Sequence, residues 1–210
     1  MRVNVTFSPP TPNGDFHLGH LAGPVLASDV CARSQKMLGN DVAFGVSTDD
    51  NQTYVVTTAQ RLRRWHRVYR LAGHYGVATD LAAEIHDIAL AEGIEPDLGF
   101  RLVRAESEFN ERATSPVGAV GLTQVMPGTA RYFMRGVSRR HLYERHVNLH
   151  VGFRYLRGLV REYKSLRIAL LVYNRGPAAV DAALKRGDDP ANGYEELVAK
   201  GYEGRGTIGR

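Results

Sequence analysis

Residues 106–130 read ESEFNERATSPVGAVGLTQVMPGTA, and the way this stretch is parsed decides what kind of domain the chain forms. A carboxylate, Glu106, stands at the end of a helix-compatible segment; a Ser-Pro and Gly-rich turn follows, and a second helix is expected to open near Pro127. Glycines such as Gly118 and Gly121 add no side chain, so a turn of this kind lets backbone approach a ligand closely. Phe109, Leu122 and Met126 are apolar neighbours able to desolvate Glu106 and raise its pKa, as a general acid requires. Taken alone, the same residues fit a simpler account: a solvated helix acid followed by turn punctuation.

Working outward, the segment is flanked by helical patterns. Leu81, Ile85 and Ile88 fall at i, i+4 and i+7, with a stop at Gly93. Pro96 suits a first helical turn and Asp97 its positive end, which predicts a helix from there to about Glu108. Leu149, Phe153, Leu156, Val160 and Tyr163 keep one apolar face over 15 residues, the strongest helix in the chain. Residues 167–173 and 177–184 supply two more helices, and the Gly-rich residues 201–210 read as a loose tail. The first sixty residues differ. Val3, Val5 and Phe7 alternate with polar residues as a short strand would, Leu18 to Lys36 is helix-compatible, and Asp41 to Val46 reads as a second strand. Strand, loop, helix, strand is half of a nucleotide-binding α/β layout.

Charge divides the chain at the same place. Residues 1–60 carry 3 basic and 5 acidic side chains, the remainder 24 and 17, so a net −2 segment precedes a net +7 one. A basic surface suits nucleic acid and an acidic wall polymer alike and selects neither. The single cysteine, Cys31, excludes an intramolecular disulfide framework and a cysteine-based metal cluster. His141, His146 and His150 include an i, i+4 pair without partner ligands and are expected at the surface rather than on a metal. No apolar run is long enough to span a membrane, and the opening MRVNVTFSPPTPNG has no basic start followed by an apolar stretch, so no export signal is recognisable.

The pattern E-S-x-F-x-x-x-A-x-S-x-x-G-A-x-G-L-x-Q-x-M-P-x-T-A, running from Glu106 to Ala130, closely resembles the signature of the soluble lytic transglycosylase family. Tyr173-Asn174 with Gly176 resembles its second motif, Y-N-x-G, with Arg175 where a small residue is more usual, and Asn148 also fits the pattern. The resemblance covers residues 75–205 and implies a lysozyme-like, mainly α-helical domain that cleaves peptidoglycan. It implies Glu106 as the sole catalytic carboxylate and Ser115 as a hydrogen-bonding group that positions the reacting sugar. Gln124, Met126 and Tyr173 would line the saccharide groove, and Asn174 would orient sugar or Glu106. Met126 also fits core packing, Ser115 a simple turn residue, while Phe109, Leu122 and Thr129 are expected to be structural. The implied chemistry uses Glu106 first as acid on the glycosidic oxygen between N-acetylmuramic acid and N-acetylglucosamine, then as base on the C6 hydroxyl, closing a 1,6-anhydro ring. Ordinary glycosidases need a second carboxylate. Glu108 lies about 200° round the helix from Glu106, and after Glu111 no acid appears before Glu144. Asp188, Asp189, Glu195 and Glu196 could return in space.

Pro9-Pro10-Thr11-Pro12-Asn13-Gly14 with His17-Leu18-Gly19-His20 resembles the ATP-binding start of class I aminoacyl-tRNA synthetases, nearest the methionyl and cysteinyl branch, and Thr48-Asp49-Asp50 adds to the likeness. His17, Gly19 and His20 would then be a vestigial nucleotide site at a helix N-terminus. No K-M-S-K-S-type loop follows and no tRNA-reading domain has room. The expected organisation is therefore an incomplete Rossmann-like α/β fragment over residues 1–60, a junction and linker helix over 61–74, the transglycosylase domain over 75–205 and a tail over 206–210. The resemblance implies no cofactor, peptidoglycan glycan strands as partner, no nucleic acid despite the basic charge, a monomer, and a place in the cell envelope or periplasm. The competing readings are a nucleotide- or tRNA-binding synthetase-like protein and a glycan-binding relative without catalysis.

Overall fold

A computed structural model describes residues 2–5, 41–44 and 51–208, with side chains from Gln60 onward. His17, Gly19, His20, the helix expected over 18–36 and Thr48-Asp49-Asp50 lie outside the described residues. The chain divides into two compact units, residues 1–65 and 66–210.

In the first unit, strands β1 (Arg2–Val5) and β2 (Asp41–Phe44) pair in parallel, with Arg2 opposite Asp41 and Val5 opposite Phe44. Helix α1 (Asn51–Tyr75) starts in this unit, has its residues 66–75 in the second, and includes the stretch 61–74 where a junction and linker helix are expected.

The second unit is helical. Helices α2 (Thr79–Ala91) and α3 (Pro96–Ser107) are followed by an irregular loop, α4 (Pro127–Phe133) and a single 3-10 turn. Helices α5 (Arg145–Tyr163), α6 (Leu166–Arg175), α7 (Pro177–Arg186) and α8 (Tyr194–Ala199) complete it. Local chemistry sets most of these bounds. Pro96 and Pro177 occupy first turns, where a missing N–H costs nothing, and the Ser165 hydroxyl caps α6 by accepting from Ile168 N at 3.3 Å. The core lies where α2, α3, α5 and α6 meet, with Ile85, Phe100, Leu102, Leu149, Phe153 and Leu170 all fully buried. Each such side chain contributes about 1.5–3 kcal/mol relative to exposure.

One expectation needs correction. Residues 202–208 are not a loose tail: Tyr202 Oη donates to Glu95 Oε2 at 2.7 Å, Glu95 N donates to Gly206 O at 3.0 Å, and Ile208 N to Gly93 O at 2.9 Å. Ile94 and Thr207 form an antiparallel bridge, so this end of the chain closes over the α2–α3 turn. His150, at 34% side-chain exposure, reaches the surface and is also ion-paired. Its Nδ1 lies 2.8 Å from Oε1 of Glu92, a buried carboxylate that Arg154 also holds at 2.7 Å, and together they pin the end of α2 to α5. A buried charge left without such partners would be strongly destabilising, and here the packing of α2 on α5 supplies them.

Candidate active site

Glu106 sits in the last turn of α3. The helix ends abruptly because Glu108 and Phe109 both adopt positive φ, 50° and 65°. Ser107 locks this end: its one hydroxyl proton is shared between Leu122 O at 2.8 Å and Val103 O at 3.1 Å, tying the helix to the loop below. Such non-glycine left-handed residues are uncommon and persist where surrounding contacts over-determine them.

That loop is a small framework of backbone bonds. Thr114 bridges Val120 and Val120 bridges Val125, both antiparallel. Ser115 closes a tight turn, its Oγ accepting from Ala119 N at 3.0 Å, so its own hydroxyl proton stays free to donate. Gln124 spends its amide N–H groups on Gly121 O at 2.8 Å and Ala113 O at 3.2 Å, which leaves Oε1 as an acceptor. Beneath lies Asn148, buried and fully satisfied: Oδ1 accepts from Thr123 N at 2.8 Å and Thr123 Oγ1 at 2.7 Å. Its Nδ2 donates to Val120 O at 2.8 Å and Leu142 O at 2.9 Å. The loop must lie flat on α5 for this to happen. At Gly121, where φ is +76°, an added Cβ would fall 2.3 Å from Asn148 Nδ2, and at Gly152 one would fall 2.2 Å from Thr123 Oγ1.

From the far side, α6 and α8 close on Glu106. Tyr173 Oη donates to Thr123 O at 2.8 Å and its ring packs on Tyr155 with centroids 5.0 Å apart. Burial raises the Tyr173 pKa well above its ordinary value, and the nearby Glu106 charge adds to the effect. Tyr194, the first residue of α8, donates a short hydrogen bond to Glu106 Oε1. Burial pushes the Glu106 pKa from 4.5 up to about 7, with the Tyr194 bond partly opposing it. Glu106 Oε2 takes no hydrogen bond from any described residue. A half-buried carboxyl that is half-protonated near neutral pH is suited to both giving and taking a proton.

The structure therefore brings Tyr173 into the electrostatic surroundings of Glu106 and places Ser115, Gln124 and Met126 on the loop that Ser107 ties beneath it. Met126 is 43% exposed, so it is not a core residue. Asn174 is exposed, and its Oδ1 accepts from Asn192 Nδ2 at 2.8 Å, a partner in the 187–193 loop. The four late acids take other partners or none near Glu106: Asp188 pairs with Arg186 at 2.8 Å, Asp189 with Arg167 at 2.6 Å, and Glu195 lies 3.5 Å from Arg167. Glu196 is exposed. What returns in space to Glu106 is the Tyr194 phenol, which sequence reading missed. The only local signal was a helix start at Gly193-Tyr194 with Glu195 and Glu196 in its first turn, and the resulting helix is six residues long. Among the described residues no group of three or more His, Cys, Asp or Glu side chains could hold a metal ion, and no helix is long and apolar enough to cross a membrane.

Comparison with known proteins gives two regions. Residues 84–194, just over half of the chain, match the family model described as "Transglycosylase SLT domain", and residues 3–71 match that of "tRNA synthetases class I (M)". A membrane-bound lytic murein transglycosylase C from Actinobacillus pleuropneumoniae is 30% identical over 183 residues, covering 76% of this chain and 49% of that protein. A methionine–tRNA ligase from Chlamydia caviae is 35% identical over 68 residues, 32% of this chain and 12% of the ligase. Among solved structures, the 70-kDa soluble lytic transglycosylase in complex with bulgecin A superposes with a TM-score of 0.50 at 26% identity, over 61% of this chain and 23% of that one. The chain thus spans about half the length or less of these relatives. With its lysozyme-like helical unit and a family match running from Glu84 to Tyr194, the chain belongs to the Transglycosylase SLT domain family.

Proposed function

We propose that the chain cleaves the β-1,4 bond between N-acetylmuramic acid and N-acetylglucosamine in peptidoglycan and leaves 1,6-anhydromuramic ends, with Glu106 as the catalytic residue. The observation that carries this is the state of Glu106: half-buried, its pKa raised to about 7, bonded to a phenol rather than to a second carboxylate. In this reading Tyr194 occupies Oε1, and Oε2 presents the proton to the glycosidic oxygen. As the bond breaks through an oxocarbenium-like transition state, Glu106 becomes a carboxylate that the Tyr194 hydroxyl stabilises. It then takes the proton from the C6 hydroxyl of the same muramic acid, whose oxygen closes on C1, and no water is consumed. Ser115 offers a hydroxyl proton and Gln124 a carbonyl oxygen to the sugar, Met126 an exposed apolar contact, and Tyr173 and Asn174 the opposite wall.

The substrate places the working protein in the cell envelope. Residues 75–205 form the catalytic domain in this reading, and residues 1–60 carry a synthetase-like fragment whose own activity is not needed for wall cleavage. Mass spectrometry of muropeptides after digestion of purified walls tests the proposal, because anhydro ends weigh one water less than hydrolysed ends. Mainly reducing ends would replace this mechanism with a hydrolytic one.

A further inference from the structure

The Tyr194 phenol reaches Glu106 from a helix too short to hold itself in place. Helix α8 has six residues, and helices of that length draw their stability from what they pack against. It is entered through the 187–193 loop, which has positive-φ glycines at both ends, Gly187 at 78° and Gly193 at 83°. Most of this loop is exposed, and within it Pro190 alone is buried. At that point Arg175, the last residue of α6, donates from Nη1 to Pro190 O at 2.6 Å. One residue earlier, Asn174 accepts from Asn192 Nδ2 at 2.8 Å, and Asn192 Oδ1 in turn accepts from Tyr194 N at 3.2 Å. Arg175 stands where a small residue is more usual in the motif this segment resembles, and a small side chain could not span the distance to Pro190 O.

We propose that Arg175 is a positioning residue for the reaction: by clamping the Pro190 carbonyl it sets the path of the 187–193 loop and so holds the Tyr194 hydroxyl on Glu106. The inference rests on the reading of Glu106 as the acid/base. A guanidinium is the group for the task because its donors are fixed in a rigid plane. The neighbouring Asn174–Asn192 bond guides the loop further on, and Arg167 holds its start through Asp189, so Arg175 governs the middle of the span.

The test compares wild type, Arg175→Ala, Arg175→Lys, Tyr194→Phe and the Arg175→Ala/Tyr194→Phe double variant in the full chain. Two readouts are used: kcat and KM on soluble glycan strands across pH, and the NMR titration midpoint of the 13C-labelled Glu106 carboxyl. Arg175→Ala is expected to lower kcat by about threefold to tenfold, the change equivalent to one hydrogen bond. KM should stay nearly constant, the Glu106 midpoint should move upward as is expected in Tyr194→Phe, and Arg175→Lys should recover part of the kcat and midpoint changes. In the Tyr194→Phe background, Arg175→Ala should change kcat by less than about twofold, because the two act through one contact. Full additivity, an unmoved midpoint, or a downward shift from water entering the site would each overturn the proposal. The midpoint reports geometry whether or not Glu106 is catalytic, so a shifted midpoint in a protein whose Glu106→Gln variant still cleaves walls would fault the mechanism and leave the positioning role standing.

Discussion

Replacing Glu106 by Gln should make the protein more stable and inactive at once, and the pH dependence of the gain is set by the site. The folded carboxyl has its pKa raised from 4.5 to about 7 by burial, so the folded state prefers the protonated form. Below pH 4.5 the group is protonated whether the chain is folded or not, and it contributes nothing. As pH rises from 4.5 to 7 the unfolded chain ionises while the folded one does not, and stability falls; above 7 the penalty is constant. Its size is about 3 kcal/mol at most, since the carboxyl is only partly covered and water can relax around it. Gln keeps the shape and still accepts from Tyr194 Oη, but it carries no charge to desolvate. Urea unfolding at pH 4 should therefore find the two proteins equal, and at pH 8 should find the variant more stable, or melting higher by roughly 6–12 °C for a unit of this size. Wall cleavage should be lost, because an amide cannot cycle a proton. Equal stability at pH 8 would mean that Glu106 is solvated and that its acidity is ordinary, which removes the basis for its role.

The remaining expectations use the same geometry. In wild type, kcat/KM should fall as pH rises through about 7, where Glu106 loses its proton, and Tyr194→Phe should move that limb upward by about one to two pH units by removing a charge-assisted bond; a limb near pH 4.5 would contradict the burial. Gly152→Ala sets a Cβ 2.2 Å from Thr123 Oγ1, so the loop must lift from α5, with about 1–3 kcal/mol of destabilisation and loss of cleavage, checked by thermal melting and wall turbidity. Asn148→Ala strands the Thr123 N–H and the Leu142 carbonyl, while Val120 O keeps its bond from Val125 N at 3.2 Å, and is expected to cost several kcal/mol, on the order of 1–3 for each group left unpaired, read by thermal melting. A chain beginning at residue 66 should keep wall-cleaving activity, and the full chain should give no ATP–pyrophosphate exchange; loss of folding on truncation would place residues 1–65 within the working fold.

Much of this protein is legible along the chain. Pro96, Gly93, Ser165 and Pro177 mark helix ends through effects that reach only a turn or two, and the apolar spacing of Leu149, Phe153 and Leu156 states which face of α5 is buried. The run from Glu106 to Ala130 likewise names its family, because its residues are consecutive and act together. What the chain order could not convey is which distant groups meet. Tyr194 lies 88 residues from Glu106 and faces it only because α8 packs against both α3 and α6. The acids after residue 187 were the natural place to look for a partner, yet Arg167 and Arg186 claim three of them, and the phenol between them is what arrives. The same holds for the closing of residues 202–208 onto Glu95 and for the four bonds of Asn148. Periodicity and capping are properties of neighbours in sequence, so composition and spacing determine the helices and the motif. Desolvation and hydrogen-bond partnership depend on every element that closes around a group, so the acidity of Glu106 was decided only when the helices packed.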